Sequence, residues 1–323
     1  MRKTWTVIGG GPCGIATVGR LVDYDDVNIV WIDPTFSCGR MGLYYKGVPA
    51  NTTNEDLIRA LRLCSSFRFE QSQQCRRNKG EKVISDLPPE KCANLGYLVD
   101  ALDDITVQLM QRVKCIKGEV GKLSKQDRGS HWDITINLAG TYTDDCAPML
   151  VQSDAVILCC GAVPKALPAL QATQLSCKSH DVGWYNMDLM VDPTYCSELL
   201  NSTPSIKEEG IAVFGSSHSA MLICKNLVEN GATRVINIYR SELRFMHVTD
   251  EGWTQYKGIG LKGPVGEWVR DHLSPCTIHS PTLHPVMTRI RYKPIPSLIP
   301  IQPLYTPYTT PISTYIYHLH VQI

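Results

Sequence analysis

The chain has 323 residues, 43% hydrophobic and 20% charged, with a formal net charge of +1. This is the balance of an ordinary soluble globular protein, long enough for roughly two domains of about 150 residues. The near-neutral charge, with no basic stripe, argues against a nucleic-acid partner. No apolar run near the N-terminus is long enough for a signal peptide or a membrane span. The 13 cysteines form no C-x-x-C pair, which argues against a zinc ribbon or a thioredoxin-like dithiol. Read as buried thiols that pack like small hydrophobes, they suit a reducing, cytoplasmic setting.

Residues 4–8 read as a buried strand that runs straight into glycines. A helix follows over Ile15–Val22, then a second strand over Val27–Ile32 that ends at Asp33. Strand, glycine turn, helix and strand fit within one βαβ unit of about 30 residues. Residues 35–55 look irregular. Glu55–Ser66 reads as a helix with Asn54 as its cap, and Arg76, Arg77, Lys79 and Lys82 as a solvated loop. Asp86-Leu-Pro-Pro-Glu90 breaks the chain. Gly96–Gln111 has helical spacing. Arg112–Ile116 and Trp132–Leu138 read as strands, with a turn at Asp127–Ser130 between them. Ser153–Cys160 reads as a further buried strand.

The same plan recurs from about residue 205. Ile211–Phe214 is a strand, Gly215–Ala220 a turn, and Met221–Glu229 a helix closed by Asn230-Gly231. Val235–Tyr239 is the next strand. The stretch 275–323 differs: it holds nine of the 20 prolines and no glycine, aspartate or glutamate. It reads as largely irregular, because proline breaks helices and central strands.

The first turn contains G-x-G-x-x-G at Gly9, Gly11 and Gly14. Gly9 suits a tight exit from the strand, Gly11 a backbone that a pyrophosphate can approach, and Gly14 close packing of helix on strand. Pro12 and Cys13 open the helix, whose N-terminus favours negative charge. Asp33, 19 residues past Gly14, suits a ribose-hydroxyl acceptor. The second turn has Gly215, Ser217 and Ala220 at the equivalent positions, with His218 and Ser219 between the last two. Ala is permitted at the third position, whereas Ser217 departs from the pattern. The following strand ends in Arg240 rather than an acid, which suits a 2′-phosphate and favours NADP over NAD; the other reading of Arg240 is a surface arginine. His218 reads either as a phosphate contact or as a polar loop residue. No metal-ligand spacing occurs among the histidines.

With two dinucleotide motifs in one chain, the sequence resembles the two-dinucleotide-binding-domain flavoproteins, the NADPH-dependent flavin monooxygenases and pyridine nucleotide reductases above all. Gly9–Gly14 and Asp33 carry the resemblance, together with four further segments. Cys38-Gly-Arg-Met-Gly42 resembles the second flavin loop. Gly118-Glu-Val120 resembles the strand whose valine backbone contacts adenine. Asp154–Pro164, with Cys160 and Gly161, resembles the family's "ATG" segment, and Gly215–Ala220 its nicotinamide nucleotide motif. The resemblance implies an α/β fold of two Rossmann-like units: an FAD-binding domain over 1–204, an NAD(P)-binding domain over 205–274, and an irregular tail over 275–323 that departs from the family's closing flavin segment as an atypical or truncated C-terminus.

The resemblance further implies that NADPH reduces FAD by hydride transfer and that a small-molecule substrate, not identified, is oxidised. The lack of C-x-x-C and C-x₄-C pairs favours a monooxygenase or hydroxylase over a dithiol reductase. The alternative is a nucleotide-binding protein without turnover. Arg40 reads as a phosphate contact or a surface residue, and Asn51 as a group near the flavin ring or part of a turn. No acid–base residue stands out.

Overall fold

The computed structural model describes residues 2–24, 26–125, 131–138, 148–163, 184–252, 254–256, 259–273, 286–291 and 315–319. It divides into two compact units, Met1–Ala162 and Val163–Ile323. The turn expected at Asp127–Ser130 lies outside the described residues.

The first unit runs β1 (Lys3–Ile8), α1 (Pro12–Leu21), β2 (Val27–Asp33), α2 (Gly39–Tyr44), α3 (Asn54–Arg62), α4 (Phe69–Asn78), α5 (Gly96–Met110), β3 (Lys114–Lys125), β4 (Trp132–Leu138), β5 (Met149–Ser153) and β6 (Ala155–Leu158). Its sheet has the order β5-β4-β3-β2-β1-β6. The pairs β1–β2, β2–β3 and β1–β6 are parallel, while β3–β4 and β4–β5 are antiparallel.

The inner strands are apolar on both faces, as a covered parallel sheet requires. On one face Val7 and Trp31 pack with Ile15 and Val18 of α1 and Ile105 and Leu109 of α5. On the other, Ile8, Val30, Ile32 and Ile116 meet Ile134, Ile136 and Val151. Trp31 is fully buried and meets the edge of Phe36 at 5.0 Å between ring centroids, a geometry worth about 0.5–1.5 kcal/mol beyond area burial. Only Lys114–Lys117 of β3 pairs with β2, and Gly118–Lys125 turns to β4 across a bulge after Val120.

Three local expectations change. The cap of α3 is Thr53, whose side chain accepts from the Asp56 N–H at 3.3 Å. Asn54 is instead a buried first residue, tied to Pro88 O and the Ala93 N–H. Arg76 and Arg77 sit in the last turn of α4, not in a solvated loop. Arg76 pairs with Asp104 at 2.6 Å and Glu81 at 2.8 Å, and Arg77 with Asp86 at 2.7 Å. Within 35–55, Gly39–Tyr44 forms a helix. Propensity misses it because two glycines disfavour a helix, while nothing local reveals that Cys38 enters the left-handed region to start it.

The second unit runs β7 (Trp184–Tyr185), α6 (Met187–Met190), α7 (Pro193–Ser202), α8 (Pro204–Glu208), β8 (Gly210–Phe214), α9 (His218–Glu229), β9 (Val235–Tyr239), β10 (His247–Val248), β11 (Thr254–Gln255), α10 (Gly263–Leu273), β12 (Met287–Arg291) and β13 (Tyr315–Leu319). Its main sheet has the order β12-β9-β8-β13-β7, with β8, β9 and β12 mutually parallel and β13 antiparallel to β8 and β7. Helices α6, α7 and α8 pack on α9 and β8 within this unit. Helix α9 closes as expected: Gly231 is left-handed, and the Ala232 N–H reaches Leu227 O at 3.0 Å.

Two strands, β12 and β13, fall in the stretch expected to be irregular. The window Val286–Arg291 contains no proline, so it can supply N–H donors to β9, and the proline-dense segments around it obscured that in the sequence. The remaining tail residues lie outside the described set.

Close packing of α1 on the sheet rests on Gly14, where a Cβ would overlap the carbonyl oxygen of Gly9. Gly14→Ala should therefore destabilise the first unit by about 1–3 kcal/mol, read as a lower urea midpoint. An unchanged midpoint would show that α1 has room to withdraw.

Candidate functional site

In the first unit the candidate residues gather at the carboxyl ends of β1, β2, β3 and β6. Strand β1 has β2 on one side and β6 on the other, so the chain order reverses there. Ligands of open α/β sheets bind in the crevice outside such a switch point.

Gly9 leaves β1 at φ 115°, and its N–H donates to Ile32 O at 2.8 Å. A Cβ on Gly9 would run into the Cys159 carbonyl, so both backbone conformation and packing demand glycine. Gly11 differs. Its φ is −75°, open to any residue, and the nearest atom to an added Cβ is Cys38 O at 3.9 Å. Neither backbone nor protein packing explains the glycine, so the space is one that a ligand would fill. Gly11 leads into α1 without a side-chain cap, Pro12 sits at the start, and no acid lies in the first turn. The free N–H groups and the helix dipole therefore face open space, the environment an anion needs.

Asp33 lies below this turn and is 7% exposed. One carboxylate oxygen accepts from the Gly10 N–H at 2.5 Å. The other accepts from the Thr35 N–H at 2.9 Å, the Thr35 hydroxyl at 3.3 Å and the Phe36 N–H at 2.6 Å. Three donors share Oδ1 and one reaches Oδ2, so Asp33 braces the turn while Oδ2 keeps a second acceptor site. Trp31 adds an Nε1–H bond to Gly9 O at 2.9 Å.

The remaining candidates of this unit fall around the turn. Gly39 reaches it directly, since its added Cβ would lie 3.3 Å from the Gly11 Cα. The next residue, Arg40, places its guanidinium 5.5 Å from the Tyr44 ring centroid. Cys160 and Gly161 follow β6. Cys159 is held beside Gly9 by its N–H to Ile8 O at 2.8 Å, and Gly161 is left-handed with nothing near its missing Cβ. Val120 lies on β3 beyond Lys117, the register partner of Asp33. Asn51 accepts from the Thr52 hydroxyl at 3.2 Å. A groove of about 860 Å³ lies at the opposite, amino-terminal edge of the sheet, where Thr4, Asn28 and Lys114 start their strands. Its position argues against a part in dinucleotide binding.

The second unit repeats the device. Gly215 has φ 117°, and its N–H donates to Ile238 O at 2.8 Å. Ser217 has φ −79° and ψ 174°, close to −75° and −179° at Gly11. The backbone here tolerates a side chain, so the serine departs from the motif without disturbing the turn. Asn237 takes the register place of Trp31 and donates to Gly215 O at 2.7 Å and Val213 O at 3.1 Å.

The helix α9 begins at His218, earlier than expected, so His218, Ser219 and Ala220 form its first turn. Both ring nitrogens of His218 are buried without a hydrogen-bond partner among the described residues. Burial, aided by the Lys262 charge, lowers its pKa to about 4. Arg240 is exposed just past β9.

Sequence reasoning missed Arg289. It lies on β12, donates from Nε to Asn237 Oδ1 at 3.1 Å, and stacks 4.1 Å from the Tyr239 ring centroid. The alternation of Met287-Thr-Arg-Ile-Arg291 was the available signal.

No family model matches the chain. It is 27% identical over 279 residues to the monooxygenase AgnR1 of Paecilomyces divaricatus, covering 83% of this chain and 66% of the relative. Among solved structures, an ornithine N-hydroxylase of Kutzneria sp. 744, determined with reduced FAD, NADP+ and L-ornithine, superposes with a TM-score of 0.51 at 14% identity. That likeness covers 77% of this chain and 56% of the other. The cadaverine monooxygenase DfoA of Erwinia amylovora, determined with FAD, also gives 0.51, at 13% identity over 75% of this chain and 52% of the other. The chain thus has the fold of these two-domain dinucleotide-binding proteins and spans between half and two thirds of their length. No helix among the described residues is long and apolar enough to cross a membrane.

The buried histidine gives a pH signature. Its folded pKa, about 4, lies below the ordinary value near 6.5, so the unfolded chain binds the extra proton between these values. Stability should fall as pH drops from 6.5 toward 4, by up to about 3 kcal/mol from this group. His218→Gln should flatten that part of the profile in urea titrations at each pH. A His218→Gln profile parallel to that of the wild type would place the loss elsewhere.

Proposed function

We propose that the chain is an FAD-dependent oxidoreductase of the monooxygenase type, with FAD at the Gly9–Gly14 turn and NADPH at the Gly215–Ala220 turn. The observation that carries the reading is the open space at Gly11: a glycine that neither the backbone nor the packing requires, at the uncapped start of α1. The monooxygenase relative and the cofactors in the structures of shared fold support it.

Bound FAD would supply acceptance of a hydride from NADPH and delivery of those electrons to molecular oxygen, with a small molecule as the substrate. The chain's own residues bind and orient. The N–H groups at the start of α1 would hold the pyrophosphate. Asp33 and Trp31 keep the turn rigid, so no reorganisation is needed when charge arrives. Arg40, one residue past Gly39, would reach the same phosphates, and the Val120 backbone would meet the adenine. In the second unit Gly215, Ser217 and the first turn of α9, His218 to Ala220, would take the NADPH pyrophosphate. The exposed Arg240, just past β9, would be the cation for a 2′-phosphate.

Purified protein should be yellow and release FAD on denaturation. Gly11→Val should lose the flavin while keeping the thermal unfolding profile of the FAD-stripped wild type, because the added methyl groups meet ligand space rather than protein. Wild-type protein that is colourless and takes up no FAD would overturn the reading.

NADPH should bind more tightly than NADH, and Arg240→Ala should narrow the gap. One hydrogen bond to a charged group contributes roughly 1.5–3 kcal/mol, or about 10- to 150-fold in affinity. Titrations of both nucleotides against wild type and variant decide it, and equal wild-type affinities would remove Arg240 from this role.

A further inference from the structure

Two thiols meet beneath the phosphate-binding turn of the first unit. Cys13 lies in the first turn of α1, and Cys159 is the first residue after β6. Three constraints bring them together. The register of β1 on β6 pairs Ile8 with Leu158, and the Cys159 N–H continues the ladder to Ile8 O. The missing Cβ of Gly9 lets the Cys159 carbonyl lie against the turn. The missing Cβ of Gly14 lets α1 settle onto the strand end. The two Sγ atoms are 3.5 Å apart. Cys13 is exposed and Cys159 buried. A disulfide bond is about 2.05 Å long, so closure needs an approach of roughly 1.5 Å, within reach of side-chain rotation and a small shift of one helical turn.

We propose that Cys13 and Cys159 form a reversible disulfide on exposure to peroxide, and that its formation weakens nucleotide retention at the adjoining turn. The second half rests on the FAD reading, and the first does not. The Cys13 thiolate attacks one peroxide oxygen. An S–O bond forms, the O–O bond breaks, and the departing hydroxide takes up a proton to leave as water. Cys13 sulfur is oxidised to the sulfenic acid and the peroxide is reduced. Cys159 then attacks that sulfur. The S–S bond forms, the S–O bond breaks, and a second water leaves with the Cys159 proton. The balance is two thiols and one peroxide giving one disulfide and two waters. A dithiol reverses it by exchange.

The consequence for binding follows from position. The N–H groups of Cys13 and Gly14 are among the uncapped donors at the start of α1. Drawing Cys13 toward β6 turns these donors away from the open space at Gly11. The third thiol, Cys160, is exposed and engages Ile8 O, with its Sγ at 3.8 Å.

The test uses the full chain, reduced, then treated with hydrogen peroxide, with remaining thiols alkylated and peptides mapped by mass spectrometry. The expected product is a Cys13–Cys159 linked peptide that dithiothreitol reverses. Cys13→Ser should abolish it, as should Cys159→Ser and Cys159→Ala, either of which serves if the other misfolds. Cys160→Ser should retain it. A bridge to Cys160, or sulfinic acid at Cys13 with no bridge, overturns the proposal. FAD titration of the reduced and oxidised chain reads the second half: oxidation should weaken binding at least about tenfold, and Cys159→Ala should be indifferent to peroxide. Equal affinities in both redox states overturn that half. A chain that binds no FAD in either state overturns the flavin reading, while the peptide map still decides the disulfide.

Discussion

The first unit depends on how closely α1 can approach the sheet at the carboxyl end of β1. Two missing Cβ atoms set that distance. At Gly9 a side chain would strike the carbonyl of Cys159, and at Gly14 one would strike the carbonyl of Gly9. With both absent, the helix starts directly above the strand ends, and its unpaired N–H groups point outward from a fixed place. Buried polar groups cost free energy unless paired, so an uncapped helix start is tolerable only if it opens to solvent or to a ligand. Here it opens at Gly11.

What holds the turn from beneath differs between the units, although the backbone repeats. In the first, the Gly9 carbonyl accepts from an indole N–H, and a buried carboxylate gathers the Gly10 N–H with three further donors. In the second, an amide at the same register accepts a guanidinium N–H and donates to the Gly215 carbonyl. Trp31 and Asn237 share neither size nor polarity. They share a donor at the right height above the strand, and that is the property the turn requires.

The second unit also holds polar groups that its own described residues leave unmatched: both ring nitrogens of His218 and one terminal nitrogen of Arg289. An uncharged His218 lowers the cost of burial. Arg289 offsets its own by the Asn237 hydrogen bond and the face of Tyr239, a cation–π contact of roughly 0.5–2 kcal/mol.

Much of this arrangement was legible in the residues. The two glycine turns, the strands before and after them, the Gly231 stop of α9 and the acid at the end of β2 are local features, set by φ preferences, hydrophobic periodicity and helix-end chemistry within a few residues of chain. Other features had no local signal. That Asp33 accepts from the Gly10, Thr35 and Phe36 N–H groups and the Thr35 hydroxyl, and that Cys13 meets Cys159, depend on how distant segments come together around β1. The same holds for Arg289, whose partners Asn237 and Tyr239 lie on another strand some fifty residues away in sequence. Sequence determined the elements and the type of turn because those follow from the conformational limits of single residues. Tertiary structure alone decided which atoms the turn touches, because strand order brings together groups that the chain separates.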